Sequence, residues 1–537
     1  MNKKTHLEQS IKRLKQHQSV ITRRDLLRLG LAAAAAPLVS SLARAATSSK
    51  PIFSGYPYTL GVASGYPSPH GFVLWTRLAP QPFEHDGGML PQRCEVSYDI
   101  ADDEHFSNTV ISGKVFAVPE LAHSVHVDIE GLSPDRWYWY RFRCGDEVSA
   151  TGRTRTTPSA QQKVNYLKLG VASCQNYEQG YFSAHRHLSY EHLDLMFFLG
   201  DYIYEDSWGD NLVRRHLGGE ARTLHNYRQR YAQYKADADL QQLHAQVPWV
   251  FTWDDHEVDN DYAANQSEFL DPQFALRRAA AYQAYFEHMP LPRHMRPTGS
   301  EMRLYQQFDY GNIASFVLLD DRQYRDPQPC PSPEKGGGSR YVDESLCPEL
   351  KQKQRSLLGK TQEQWLDLKL AQSQSLWNVI AQQTLVAPMD GAVGKEKSWW
   401  TDGWDGYPQA RQRLLNSITN HRVRNPLILG GDLHASVVAE IPKQPGADKQ
   451  PSIAAEFCGT SISAQGWPQE TYKNHRAENP HLHHIDSASR GYLVCELKPK
   501  ECKVSIRNLD SEKIRDSKIA ETIEFTVEQG SSTIHRS

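Results

Sequence analysis

No charge of one sign dominates this sequence. Its 60 Lys and Arg stand against 63 Asp and Glu, a formal net charge of −3. That balance gives no electrostatic ground for a nucleic-acid or acidic-membrane partner. Long apolar runs are missing as well. Beyond the N-terminal stretch no segment approaches the ~18 apolar residues of a membrane span, so no membrane-spanning helix is expected in the mature form. Between residue 52 and about residue 157 there is also no cluster of candidate ligands, so chemistry is not expected from that part. At 537 residues the chain exceeds one ordinary core, and two domains are the starting expectation.

What is present begins with a targeting segment. A basic, polar lead precedes Thr22-Arg23-Arg24-Asp25-Leu26-Leu27-Arg28, followed by the apolar stretch Leu29–Leu42 and the small-x-small site Ala43-Arg44-Ala45. Paired arginines before a mildly hydrophobic segment resemble a twin-arginine signal over residues 1–45, with Leu26 where Phe is usual. A general secretory signal or an amphipathic anchor is the alternative. Either signal predicts a soluble protein exported to the periplasm or beyond, and the first makes the twin-arginine machinery a partner. Export permits disulfides among the eight cysteines. Cys330 and Cys347 bracket a Pro/Gly-rich loop, Cys94 and Cys144 lie in neighbouring predicted strands, and Cys495 and Cys502 flank a hairpin turn.

Residues 46–157 read as an all-β fibronectin- or immunoglobulin-like sandwich. Short alternating strands are predicted at Gly71–Thr76, Cys94–Ile100, Ser124–Ile129 and Trp137–Cys144. From residue 158 to 537 the pattern becomes α/β. Apolar strands at Leu167–Ala172, Leu195–Leu199, Trp249–Trp253, Ala314–Leu319, Trp377–Gln383 and Leu427–Gly430 alternate with helices at His225–Ala238, Phe274–His288, Gln362–Ala371 and Ala410–Asn420.

The informative feature is what ends the strands, because open α/β sheets bind ligands beyond the carboxyl ends of their strands. The first ends in Ser173-Cys174-Gln175. The second turns at Gly200 into Asp201, Tyr204 and Glu205, and a spacing of three would aim the Asp201 and Tyr204 oxygens at one point across a helical turn. The third runs into Asp254-Asp255-His256-Glu257-Val258-Asp259-Asn260-Asp261, five carboxylates and one His whose repulsion calls for a cation or full solvation. The fourth delivers Asp320-Asp321-Arg322, where the arginine either joins an ion pair with its neighbours or grips a phosphate. The last delivers Asp432 and His434, two apart and so on one side of an extended segment. Together these ends predict one metal-rich cleft. The histidines His481, His483 and His484 read as a solvated loop, and the tail from Lys513 as either lying over the cleft or mobile.

These strand ends resemble the metallophosphoesterase superfamily, whose pattern runs Asp, Gly-Asp-x-x-Tyr, Gly-Asn-His-Glu, Gly-His-x-His. More narrowly, Ser173-Cys174-Gln175, Gly200–Glu205, Trp253–Tyr262, Leu319–Asp326, Trp365 with Gln382-Gln383, and Gly430–His434 resemble the PhoD-type alkaline phosphatases. The resemblance implies a layered metallophosphoesterase-like catalytic domain. Against the purple acid phosphatase pattern, Cys174 replaces an Asp, Asp255 an Asn and Asp432 a His, which moves the second metal toward a hard, oxygen-preferring ion.

The implied site is mixed. Cys174, Asp201, Tyr204 and His434 would hold Fe(III). Asp201 would bridge to Ca²⁺, held also by Asp255 and Asp432 with Asn260 or Asp259 as an outer partner. Two cations about 3.5–4 Å apart can generate a hydroxide and neutralise phosphoryl oxygens during in-line attack on a monoester or diester. His256 is expected to stabilise the phosphoryl group or leaving oxygen, and Arg322 to grip a non-bridging oxygen. Two alternatives stand: a phosphodiesterase or phospholipase D-like enzyme with little monoesterase activity, and a binding protein whose calcium ions only staple loops. Cys174 and Tyr204 argue against the second, since a structural calcium site takes oxygen ligands and has no use for a thiolate.

Overall fold

A computed structural model describes residues 53–444 and 451–537. The signal expected over residues 1–45, with Arg23 and Arg24, lies outside them. Among the described residues no helix is long and apolar enough to cross a membrane.

Two large sheets position the site. The first has ten strands, and its centre is a parallel trio, Leu167–Ala172, Leu195–Leu199 and Trp249–Thr252. The second has seven strands in the order Gln306–Tyr310, Ala314–Leu318, Trp377–Ala381, Pro426–Gly430, Ser452–Cys458, Ser436–Pro442 and Leu482–Asp486, the second to fifth of them parallel. The period-2 alternation of strands explains how they stack. Leu195, Phe197 and Leu199 point inward with Leu167, Leu169 and Val171, and there meet Phe316, Leu318, Val379 and Leu429 from the second sheet. Met196 and Phe198 point outward and are covered by helix residues such as Tyr227, Tyr231 and Tyr282. On the far side, Leu366, Leu370, Leu414 and Ile418 from helices Gly359–Gln372 and Pro408–Asn420 cover the second sheet. Strands buried on both faces read as continuous apolar runs, which is why the sequence locates them so closely.

The α/β class holds, and most predicted elements lie within a few residues of their expected bounds. Helix Phe274–His288 and strands Leu195–Leu199, Ser124–Ile129 and Trp137–Cys144 match them fully. The predicted helix His225–Ala238 is two: Leu224–Lys235 ends before Asp237, which caps Ala238–Gln246 by accepting from the Asp239 and Leu240 amides. The tail is not a cover for the cleft. Ile519–Glu528 and Ile534–Arg536 are the last two strands at one end of the first sheet, and the polar alternation of the former reflects one exposed face. His481–His484 is no free loop either, because Leu482–Asp486 pairs with Ser436–Pro442. His481 bonds Pro388 O, His484 bonds Ser436 Oγ and His483 faces Glu440, so the three rings have separate partners.

In the N-terminal part, strands Val62–Ser68, Gly71–Arg77 and Ser124–Ile129 share a core with the layer formed by Cys94–Ala101, Thr109–Ala117 and Trp137–Cys144. Leu74, Val125, Val96, Tyr140 and Phe142 meet there. The first three strands also continue the ten-stranded sheet, where Gly65 pairs in parallel with Trp249. A Cβ on Gly65 would lie 2.7 Å from Trp249 O, so glycine is what permits this junction. One disulfide forms, Cys330–Cys347, as the loop between them suggested. Cys94 and Cys144, and Cys495 and Cys502, remain thiols. The predicted hairpin between the last two is present, with Cys502 opposite Leu497.

Candidate active site

The carboxyl ends of the parallel strands from both sheets open into one cleft. Glycines set how closely they meet. A Cβ on Gly200 would lie 2.4 Å from Asp254 Cβ, and one on Gly431 would lie 2.5 Å from Ser173 Oγ. Immediately beyond the strands the backbone kinks. Cys174 (φ 58°), Asp201 (φ 54°), Asp432 (φ 64°) and His434 (φ 51°) all occupy the left-handed region. For non-glycine residues this costs on the order of 1–3 kcal/mol each, the kind of strain that accumulates at functional sites. Asp432 and His434 are therefore not on an extended segment, and their side chains diverge into different groups.

The first group is Cys174, Asp201, Tyr204 and His434. The Cys174 sulfur, an Asp201 oxygen and a His434 nitrogen lie within 4.8 Å of one another. The Tyr204 hydroxyl is 3.0 Å from Asp201 Oδ2 and 2.9 Å from His434 Nε2, so the expected convergence of Asp201 and Tyr204 is present, made by a bend rather than a helix. His434 Nδ1 lies 2.7 Å from Gln465 O. Donation to that carbonyl fixes the tautomer and leaves Nε2 as the nitrogen that could hold a metal. Burial, then the charge of Asp201, pushes both the Cys174 thiol and the Tyr204 phenol well above their usual ranges. A cation among them reverses that, because it favours thiolate and phenolate together.

The second group is built from carboxylates. Asp254, Asp255 and Asp432 form one cluster, Asp255, Asp261 and Asp402 another, and Asp201 joins Asp255 and His256 in a third. Burial, then Asp254, pushes the Asp432 carboxyl well above its usual range. Arg322 stands behind this group, not in the cleft. Its Nε binds Asp254 and its Nη1 lies 2.6 Å from Asp402 Oδ2, while Nη2 lies 3.5 Å from Asp432 Oδ1 and 3.8 Å from Asp255 Oδ1. The guanidinium is fully buried among four carboxylates, a different position from the one a phosphoryl grip requires. Nor are its ion-pair partners the adjacent acids, since Asp320 receives only the Arg322 backbone N–H.

His256 forms the third feature. Its Nδ1 is 2.7 Å from Glu205 Oε2, and its ring leans over Tyr204 with centroids 4.3 Å apart. Burial opposes charge on this ring, but Glu205, Asp255 and Asp201 outweigh it and raise its pKa well above the ordinary value. Asn260 lines the cleft, and its backbone N–H donates to Glu205 Oε1 at 2.8 Å. Asp259 is held instead by Arg277, 2.8 Å away.

Several residues were not singled out from sequence. Glu257 accepts amides from Asp201, Tyr202 and Asp254 at 3.1, 2.5 and 2.8 Å, tying the second strand end to the third. Asp402 comes from a loop, and its only sequence signal is an acid among tryptophans, Trp399-Trp400-Thr401-Asp402-Gly403-Trp404. Burial opposes its charge, but Arg322 and Arg325 hold its carboxyl well below the usual range. Ser339 donates its N–H to Asp261 Oδ2 at 2.8 Å from within the disulfide-closed loop. The cleft encloses about 710 Å³ and is walled in part by Trp208, Trp400 and Trp467.

Comparison with known proteins identifies the family. The PhoD-like phosphatase family profile matches residues 169–506, and the profile of that family's N-terminal domain matches residues 43–158. Alkaline phosphatase D of Bacillus subtilis (strain 168) is 45% identical over 469 residues, which is 85% of this chain and 78% of that protein. A solved structure of PhoD superposes with a TM-score of 0.84 at 41% identity, covering 90% of this chain and 93% of the other. The profile spans more than half of the chain and the relative most of it, so the protein belongs to the PhoD-like phosphatase family.

Proposed function

We propose that the protein is an exported, metal-dependent phosphoesterase that cleaves phosphate monoesters and diesters with a mixed Fe(III) and Ca²⁺ centre. The observation that carries this reading is the sharing of Asp201 between a sulfur-, phenol- and imidazole-bearing group on one side and a carboxylate group on the other. The donor chemistry fits two unlike cations. Cys174, Tyr204, Asp201 and His434 suit Fe(III), and Asp255, Asp432 and the shared Asp201, with Asn260 beside them, suit Ca²⁺. When bound, such a pair supplies an activated water and neutralises the phosphoryl oxygens.

The chain's own residues do the rest. Glu205 holds the His256 Nδ1 proton, which leaves Nε2 to donate to the phosphoryl group or the departing oxygen. Arg322 positions Asp254, Asp255, Asp402 and Asp432 and offsets part of their charge. Within the same reading, residues 46–157 are a fibronectin- or immunoglobulin-like domain and residues 158–537 a metallophosphoesterase-like catalytic domain. Export follows the twin-arginine route to the periplasm or beyond.

The test is metal analysis with a visible spectrum on the purified protein, together with phosphate release from one monoester and one diester. Iron, calcium, a visible band and turnover are expected together. A colourless protein holding calcium alone and releasing no phosphate would favour the loop-stapling alternative.

A further inference from the structure

Three tryptophans rim the cleft beside the two donor groups. Trp208 lies parallel to the His434 imidazole, with ring centres 5.8 Å apart and planes 7° apart. Trp467 stands edge-on to Trp400 at 6.3 Å. Trp467 keeps 56% of its surface exposed and Trp208 keeps 36%, although large aromatic rings usually gain by burial.

The wall is held in place. Trp467 follows Gly466, where a Cβ would come within 2.6 Å of His434 O and 2.9 Å of Ser487 O, so this turn is pressed against the backbone of a donor residue. Trp400 lies in strand Ser398–Trp400 and pairs with Tyr341 of the disulfide-closed loop, their rings 5.2 Å apart. Rings ordered before binding lose little entropy when a ligand stacks on them.

Several polar groups around the wall are already engaged. The Gln465 amide accepts from Asp210 N at 3.0 Å and donates to Asp210 O. Arg222 is paired with Glu220 at 2.8 Å and Asp271 at 2.7 Å, and Arg277 with Glu220 and Asp259 at 2.8 Å each. Beside these engaged groups, the three indoles offer a substrate their ring faces.

We propose that Trp400 and Trp467, with the outer edge of Trp208, bind the alcohol side of the ester and select phosphate esters whose alcohol carries a flat π ring, that is, nucleotides. The proposal rests on the phosphoesterase reading and specifies its substrate class. Every base has a π face, so stacking without hydrogen-bond readout favours nucleotides over other esters with little preference among bases. A bare sugar is the poorer occupant, because it has no π face to stack on the indoles.

The test compares AMP, UMP, ribose 5-phosphate and glycerol 2-phosphate on the metal-loaded protein and on Trp467→Ala and Trp400→Ala, with metal content measured for each. AMP and UMP are expected to give similar kcat/KM, about tenfold or more above ribose 5-phosphate, the scale of one stacked base. Each variant should lose about tenfold more on AMP than on glycerol 2-phosphate, through KM and with metals retained. Adenosine alone should quench the protein's tryptophan fluorescence saturably, and Trp467→Ala should weaken that binding. Equal losses on all four esters, ribose 5-phosphate matching AMP, or no adenosine binding would each overturn the subsite. If no ester is hydrolysed while adenosine still binds through Trp467, the phosphoesterase reading fails and the ring subsite stands.

Discussion

His256 Nδ1 and Glu205 Oε2 are 2.7 Å apart, and the carboxylate of this pair is itself fixed by the Asn260 amide at 2.8 Å. The ring is thus oriented from a neighbouring strand end, and its proton is held at Nδ1. His256→Ala is expected to keep its metals while kcat falls by roughly 10²–10⁴, the range for a positioned acid–base or electrostatic group. Glu205→Gln should cost less, roughly 10–100-fold, as is usual for an outer partner. Metal analysis beside steady-state kinetics checks both. A His256→Ala variant that sheds its metals would make the ring a ligand instead.

Asp201 belongs to both donor groups, so Asp201→Ala should lose both metals and nearly all activity. Cys174→Ser should retain calcium, weaken iron binding and shift the visible spectrum, because it removes the one sulfur from the set. Elemental analysis and absorption spectra decide. Full metal content and turnover in Asp201→Ala would end the two-metal account.

Lys235 is buried with its ammonium 4.2 Å from the Trp75 ring centre and 5.6 Å from that of Tyr202. Burial lowers its pKa from 10.5 to about 7. Between about pH 7 and 10.5 the unfolded chain keeps this proton and the folded one has released it, so stability rises with pH across that window and is lost as pH falls toward 7. The slope from this residue reaches at most about 1.4 kcal/mol per pH unit. In Lys235→Met that part of the slope should vanish, as measured by denaturant unfolding at several pH values. Identical slopes in the two proteins would mean that Lys235 stays charged when folded.

The Cys330–Cys347 bridge spans 17 positions and constrains the loop that carries Ser339 to Asp261. Closing a loop of this size contributes about 3 kcal/mol in the chain-entropy account. Cys330→Ala/Cys347→Ala should lower unfolding stability by about 2–4 kcal/mol. Non-reducing peptide mapping of the parent should find this bridge and leave Cys174 free. Cys174 in a disulfide would remove it as a ligand.

Export is testable in cells. With Arg23 and Arg24 both changed to Lys, precursor should accumulate in the cytoplasm. Normal export of that double variant would point to the general secretory route.

Much of this protein is written in local sequence. The parallel strands are legible because both faces are buried, leaving apolar runs such as Leu195–Leu199 that end abruptly at glycine and acid. The gathering of Cys174, Asp201, Tyr204, Asp255, Asp432 and His434 at one cleft is legible from the strand ends they follow, since open α/β sheets place their sites there. The closing strands were harder to see, because one face of Ile519–Glu528 is polar and alternation there looks like a tail.

What the local sequence could not carry were relationships between distant residues and the sign of φ. Arg322 meets Asp402 across 80 positions, and Glu257 gathers amides from two strand ends, pairings that exist only once distant strands and loops have come together. The left-handed backbone at Asp432 and His434, which sends neighbouring side chains to different groups, is a strain that only surrounding tertiary contacts can hold. The residue types at each strand end thus came from the sequence. Which donor atoms lie together, and whether an arginine faces the cleft or its own carboxylates, was decided by packing.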